Sequence, residues 1–292
     1  MIIFPYKIDS ELSVVPIVTT LVTLICLITF FVQEYSWYIY KNDIHNFCQH
    51  EISDELDKML SQEECIELFV QLDLTADPQP IFKQFIHEKH KTHLNSKEIL
   101  HQLERMHKIV PNSATVDWWY EPGSYDIRSM LTSKVIHLNW MHLLFNLIFF
   151  LAFAVGAEQL LGHLTFAVFL LASAIATDMV YCFGALNMSS TSPSLGLSGV
   201  VTSTMIFVTL LYPHKFLHIF FWVLFFSGTF RLPLLLVSIS YIGSDMLSIT
   251  ISKSGSNINY LSHIAGALTG ILAAFTFLIV HSALKQTAKK KP

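Results

Sequence analysis

Charge is the scarcest property of this sequence. Only 14% of its 292 residues are Asp, Glu, Lys or Arg, against about a quarter in soluble domains. With 52% hydrophobic residues and a mean hydropathy of +0.49, the chain cannot cover itself with polar surface, which excludes an ordinary water-soluble enzyme. The same shortage of charge, combined with 13% aromatic residues, excludes intrinsic disorder. A net charge of −4 and an isoelectric point near 6.4 leave no basic footprint, so nucleic acid is not an expected partner. Cysteine is sparse too: four are too few to staple a chain of this length. Cys26 and Cys182 lie in apolar runs and read as small hydrophobes. Cys48 and Cys65 lie outside those runs and can pair if their compartment is oxidising. Glycine is absent before Gly123, and the acids upstream of it form no Asp-x-Asp-x-Asp-Gly run, which excludes a calcium loop.

What the sequence does have is long uncharged runs. A bilayer span takes about 20 mostly apolar residues. Leu12–Gln33 carries no charge and reads as a retained helix, since neither a basic n-region nor a small-residue cleavage site flanks it. After Arg128, uncharged runs predict five further spans near 138–157, 163–184, 197–212, 233–250 and 261–281. The expected class is an all-α polytopic membrane protein, a bundle of six transmembrane helices in a lipid bilayer. Phe216–Phe230 is short and aromatic-rich, and is placed as an interfacial or half-inserted stretch. Asp43–Asp126 holds most of the acids, shows helical spacing at Leu56, Met59 and Leu60 and again at Ile99, Leu100 and Leu103, and is punctuated by Pro78, Pro80, Pro111 and Pro122. The expected organisation is an N-terminal segment with the first span over 1–40, an acidic helical extramembrane loop over 41–127, a membrane core over 128–284 and a basic tail over 285–292. Lys285, Lys289, Lys290 and Lys291 place the C-terminus in the cytoplasm and the acidic loop outside.

Polar groups inside such spans are costly and read as functional by default. Span two opens on His137, Asn139 and His142 and continues to Asn146, four residues on and on the same helix face. Span four opens on Gly196-Leu-Ser198-Gly199, and span six on Ser262-His263 with Gly266 and Gly270 following. All three spans start at the outer side, so Ser198, His263, His142 and Asn146 are expected at one depth. A serine hydroxyl needs a base, for which His263 is the candidate. An oxyanion needs donors, for which Asn146, His142 and the Ser198 backbone N–H qualify. Gly199, Gly266 and Gly270 allow the helices to meet closely. Alone, Ser198 reads as a helix N-cap; beside His263 and the His142/Asn146 pair it reads as a nucleophile. Plainer roles suit the other polar residues. His137 is a satisfied polar group or a supporting hydrogen bonder, Glu158 a loop anchor, and Asp178 and Asp245 buried hydrogen-bonded groups or helix-end residues. His87, His90 and His93 form a solvated face in preference to a metal site, since zinc takes four ligands.

The motifs His142-Leu-Leu-Phe-Asn146, Gly196-Leu-Ser198-Gly199 and His263-Ile-Ala-Gly266-Ala-Leu-Thr-Gly270, in this order on separate spans, resemble those of the rhomboid family of intramembrane serine proteases. The resemblance covers Tyr125 to about His281. It implies Ser198 as nucleophile, His263 as base, His142 and Asn146 as oxyanion donors, no acid to complete a triad, and neither metal nor cofactor. The substrates it implies are transmembrane proteins cut in or near their membrane segments. Two positions depart from the family: Thr202 stands where a tyrosine often packs on the histidine, and Arg128 follows Ile127 in place of the frequent tryptophan. The short N-terminus resembles bacterial members, which implies a bacterial inner membrane. The competing readings are a rhomboid-like protein that binds membrane clients without cutting them, which needs neither Ser198 nor His263, and a transporter, for which no internal repeat is visible.

Overall fold

The computed structural model describes residues 2–8, 15–74, 78–89, 94–185, 193–223, 225–251 and 260–289. The chain opens with a strand, β1 (Ile2–Ile8), followed by α1 (Ile17–His50). Next come α2 (Asp54–Met59), α3 (Gln62–Asp73), α4 (Pro78–Lys89), α5 (Ser96–Ile109) and α6 (Ala114–Trp118). The core follows as α7 (Ile127–Thr132), α8 (Trp140–Leu161), α9 (His163–Ala185), α10 (Ser198–Leu211), β2 (Phe216–Val223), β3 (Phe226–Pro233), α11 (Leu234–Ile251) and α12 (Tyr260–Lys289). The protein is mostly helical, as expected. Among the described residues α1, α8, α9 and α12 are long and apolar enough to cross a membrane, while α10 and α11 are shorter apolar helices.

Helix boundaries follow from local chemistry. Helix termini leave backbone N–H and C=O groups unpaired, and side chains here satisfy several of them. Ser61 and Glu64 form a reciprocal capping box at α3. The Asn139 side chain accepts the His142 N–H at 2.9 Å, opening α8. Asp126 accepts the N–H groups of Arg128 and Ser129, which hold its carboxyl below the usual range. α8 ends at Gly162, whose φ of +73° suits glycine. The α1 start is capped from far away in sequence: the buried Glu158 carboxylate accepts the Val18 and Thr19 N–H groups at 2.8 Å and the Thr19 hydroxyl at 2.6 Å, and also meets His163. Glu158 is thus an anchor that joins the end of α8 to the start of α1.

The stretch expected to be interfacial or half-inserted folds as a β-hairpin. β2 and β3 pair antiparallel from Phe216↔Pro233 to Val223↔Phe226, and β1 pairs antiparallel with β2 from Ile2↔Trp222 to Ile8↔Leu217. Pairing satisfies backbone groups that an irregular segment would leave without partners. Pro5 is tolerated because β1 is an edge strand. Glycine at 228 leaves room for its cross-strand neighbour, since a Cβ there would fall 2.9 Å from the Phe221 ring. Leu217 and Ile219 join the main core, and Ile8 reaches Gly156 near the end of α8, whereas Phe225 and Phe226 project outward. That aromatic tip is of the kind found at membrane–water interfaces.

The segment between the apolar run of α1 and α6 has its own core. α1 continues beyond its apolar run, and Tyr40, Ile44 and Phe47 pack with Leu56, Leu68, Phe69, Phe85, Ile99 and Met106. Cys48 and Cys65 form a disulfide across this core, with Cα atoms 6.0 Å apart. Replacing both cysteines by serine is expected to destabilise the segment by about 3 kcal/mol, the loop-closure value for a ring of this size. The loss would be measured as a lower melting temperature and faster proteolysis within 41–127; an unchanged melting profile would show that the apolar core alone holds it.

Candidate functional site

Close backbone approach between α10 and α12 builds the site. A Cβ on Gly266 would lie 2.1 Å from the Gly199 carbonyl oxygen, and one on Gly270 would lie 2.4 Å from the Ser203 oxygen. One on Gly199 would strike the Ser262 hydroxyl at 2.8 Å and the Thr177 methyl at 2.9 Å. These distances are shorter than any carbon contact allows, so only glycine permits the two helices to run this near. The approach brings together the starts of both helices: Ser198 Oγ and His263 Nε2, 65 residues apart in sequence, are 2.8 Å from each other.

The other side of the imidazole meets a carboxylate. The Asp245 Oδ2 lies 2.9 Å from His263 Nδ1, with both side chains 8% exposed, so Asp245 is a buried hydrogen-bonding group, as expected, beside a histidine for which the resemblance implied no acid completing a triad. Tyr241, one turn earlier on α11, packs its ring against His263 with centroids 5.6 Å apart and brings its hydroxyl to 3.4 Å from Nδ1. The aromatic neighbour absent at Thr202 therefore arrives from a different helix. Thr202 turns its hydroxyl to the Ser198 carbonyl oxygen at 2.9 Å, and its Cβ lies close to Gly266, where a larger residue would push the helices apart. The sequence signal was the pair Tyr241 and Asp245, four apart and so on one face, with a carboxylate inside an apolar run.

α8 supplies the remaining polar groups. The His142 ring lies over Gly196, where a Cβ would be 2.9 Å from its Nε2; the φ of +102° at Gly196 also favours glycine. His142 Nδ1 accepts the Leu138 N–H at 3.3 Å, so a neutral His142 carries its proton on Nε2 and donates there. Asn146 gives one amide hydrogen to the His142 carbonyl at 2.8 Å, which leaves the second. His142, Asn146, Gly196, Ser198, Tyr241 and His263 line a cavity of 610 Å³. Phe145, Phe149, Val201 and Met205 give it apolar walls, and Leu74 and Trp119, from the segment before α7, also line it. No side chain caps the start of α10, so its first N–H groups and positive dipole end face the site.

A buried cluster holds the loop that leads into Ser198. The Asp178 carboxylate accepts Lys134 Nζ at 2.5 Å, the Ser133 hydroxyl at 3.0 Å and the Ser194 hydroxyl at 2.9 Å. Backbone bonds extend it: Tyr120 and Ser194 exchange two, and the Gly196 N–H reaches the Ser133 oxygen at 2.8 Å. Asp178 is thus a buried hydrogen-bonding residue, and Lys134, which merely borders an apolar run in the sequence, is its counter-ion. His137 is buried. Its ring packs edge-on against His142 with centroids 5.2 Å apart, and Gln33 holds its backbone N–H and C=O. Among the described residues no cluster of His, Cys, Asp and Glu could hold a metal ion. His90 and His93 lie outside the described residues, as do Lys290 and Lys291.

Residues 124–280 match the family model of the rhomboid domain. RHOMBOID-like protein 12, mitochondrial, from Arabidopsis thaliana is 26% identical over 161 residues, covering 50% of this chain and 45% of that protein. The chain thus spans about half the length of that relative. The domain match takes in more than half of the chain and covers α8, α10 and most of α12 with Ser198, His263, His142 and Asn146: this integral membrane protein belongs to the rhomboid family.

Proposed function

We propose that this chain is an intramembrane serine endopeptidase that cleaves membrane-anchored proteins in or near their transmembrane segments. The observation that carries the reading is the 2.8 Å hydrogen bond between Ser198 Oγ and His263 Nε2 at a cavity lined by His142 and Asn146. Ser198 Oγ attacks the carbonyl carbon of the scissile peptide, and its proton passes to His263 Nε2. The carbonyl π pair moves to oxygen, and that oxyanion is held by the Nε2–H of His142, the free amide hydrogen of Asn146 and the N–H groups at the α10 start. Collapse breaks the C–N bond, and His263 returns the proton to the departing amine. Water, deprotonated by His263 in turn, then hydrolyses the acyl-serine.

The apolar walls suit an unwound, mostly apolar peptide segment. With the C-terminus cytoplasmic, six spans place the extramembrane unit and the mouth of the site on the opposite, oxidising side, in keeping with the Cys48–Cys65 bond; the periplasmic face of a bacterial inner membrane has that character.

A mechanism-based isocoumarin or an alkyl phosphonate added to the full-length protein in detergent is expected to label one residue, Ser198, as mapped by peptide mass. A folded protein that stays unlabelled, or is labelled elsewhere, would favour a rhomboid-like client-binding protein without hydrolytic chemistry.

A further inference from the structure

The contact between Asp245 and His263 asks what a carboxylate is doing among membrane-embedded helices. A buried carboxylate is costly unless it is paired and hydrogen-bonded, and Asp245 is 6% exposed. Its Oδ2 lies on the ring nitrogen of His263 that faces away from Ser198. For Nε2 to accept the Ser198 proton it must be bare, so the one proton of the neutral imidazole must sit on Nδ1. A neutral imidazole free in the cavity would divide its proton between the two nitrogens; a carboxylate at Nδ1 selects the reactive tautomer and fixes the ring's rotation. When the serine proton arrives, the ring becomes an imidazolium whose positive charge lies beside that carboxylate in a low-dielectric site.

We propose that Asp245 is a positioning residue for the Ser198–His263 pair, completing a Ser–His–Asp arrangement in a family fold expected to work with the pair alone. The proposal rests on the endopeptidase reading. Asp245 takes no proton in either step: the Nδ1 proton stays on His263, while the Nε2 proton comes from Ser198 on attack and goes to the amine on collapse. The groups facing His263 from its neighbours are Ser198 on α10, Tyr241 and Asp245 on α11, Tyr260 on α12 and His142 on α8. Among these described neighbours, Asp245 alone is an acceptor without a donor hydrogen of its own. The Tyr241 hydroxyl, at 3.4 Å, contacts Nδ1 less closely and holds the ring mainly by packing.

The test uses the full-length protein in detergent with a single-pass test substrate. Asp245→Asn keeps the shape but offers an amide that can donate to Nδ1 and so favour the wrong tautomer. It is expected to lower kcat by about 10²–10⁴-fold, with KM changed little because Asp245 does not line the cavity. Asp245→Glu is expected to recover most of that loss. In ¹⁵N-histidine-labelled protein, a downfield Nδ1–H proton resonance of His263 is expected in the wild type and in Ser198→Ala, and its loss is expected in Asp245→Asn. Wild-type kcat in Asp245→Asn would overturn the proposal, as would a loss of activity that Glu does not restore while the Nδ1–H resonance persists. If Asp245→Asn does not fold, the wild-type resonance decides: its absence overturns the proposal and its presence supports it. Cleavage by Ser198→Ala at the wild-type rate would instead overturn the serine mechanism itself, whatever Asp245 does.

Discussion

Ser198→Ala is expected to abolish cleavage, with a fall in kcat of about 10⁶-fold, the size seen when a hydrolase loses a nucleophile that acts as a unit with its base. The hydroxyl that would form the acyl bond disappears, and His263 Nε2 loses the group 2.8 Å away whose proton it takes. His263→Ala should cost about as much, and the double variant little more, because two parts of one proton-transfer unit cannot be lost twice. What activity survives would come from His142, Asn146 and the α10 backbone acting on water. The fold should tolerate the change, since one hydrogen bond contributes only about 1 kcal/mol net. Cleavage of a single-pass substrate, followed on a gel alongside the melting temperature, checks this. A variant that still captures the substrate but cannot cut it is the expected outcome. Cutting at the wild-type rate would exclude Ser198 as nucleophile, and a substrate that even the wild type binds and leaves intact would point to a client-binding protein.

Asp178→Ala is expected to destabilise the protein by about 3–5 kcal/mol, the cost of stranding one partner of a buried ion pair. The side chain of Lys134 is 4% exposed and that of Asp178 is 0% exposed, so the ammonium left behind cannot reach water without opening the structure. Such a loss is a large part of the ~5–15 kcal/mol that holds a typical domain folded. Activity should fall with it, because Asp178 holds Ser194, and Ser194 and Gly196 fix the loop that delivers Ser198. Asp178→Asn, which keeps the acceptor oxygen but removes the charge, should lie between the two. Replacing Lys134 and Asp178 together by Met and Leu should recover much of the melting temperature, since exchanging a buried pair for apolar groups is often close to neutral. Equal melting temperatures for Asp178→Ala and the wild type would show that Lys134 finds another partner.

Much of the fold is legible where a property is local. Long uncharged runs mark α1, α8, α9 and α12 because hydrocarbon tolerates only apolar, internally bonded backbone. The residues around Ser198, His142 and His263 stand out because polar groups are rare in such runs. The sheet is not legible in the same way. Its strands Ile2–Ile8 and Phe216–Pro233 are more than 200 residues apart in sequence, and a short apolar, aromatic stretch has no periodicity that tells a strand from a half-inserted helix. Asp178 and Asp245 show the same limit. Both are visible as carboxylates in apolar surroundings, yet their partners, Lys134 and His263, lie 44 and 18 residues away.

The residue order alone determined that this is a membrane protein, which segments are apolar helices, and which hydroxyl, imidazoles and amide are available for chemistry, because each of these is set by composition and short spacing. Only the tertiary structure decided that Asp245, and not a residue of the Thr202 helix, meets His263 Nδ1, that Asp178 pairs with Lys134 beneath the loop leading into Ser198, and that Cys48 joins Cys65. Those outcomes depend on which helices approach closely: α10 and α12 meet where glycines face backbone across space, and Cys48 and Cys65 meet in an apolar core, steric fits that no stretch of sequence contains by itself.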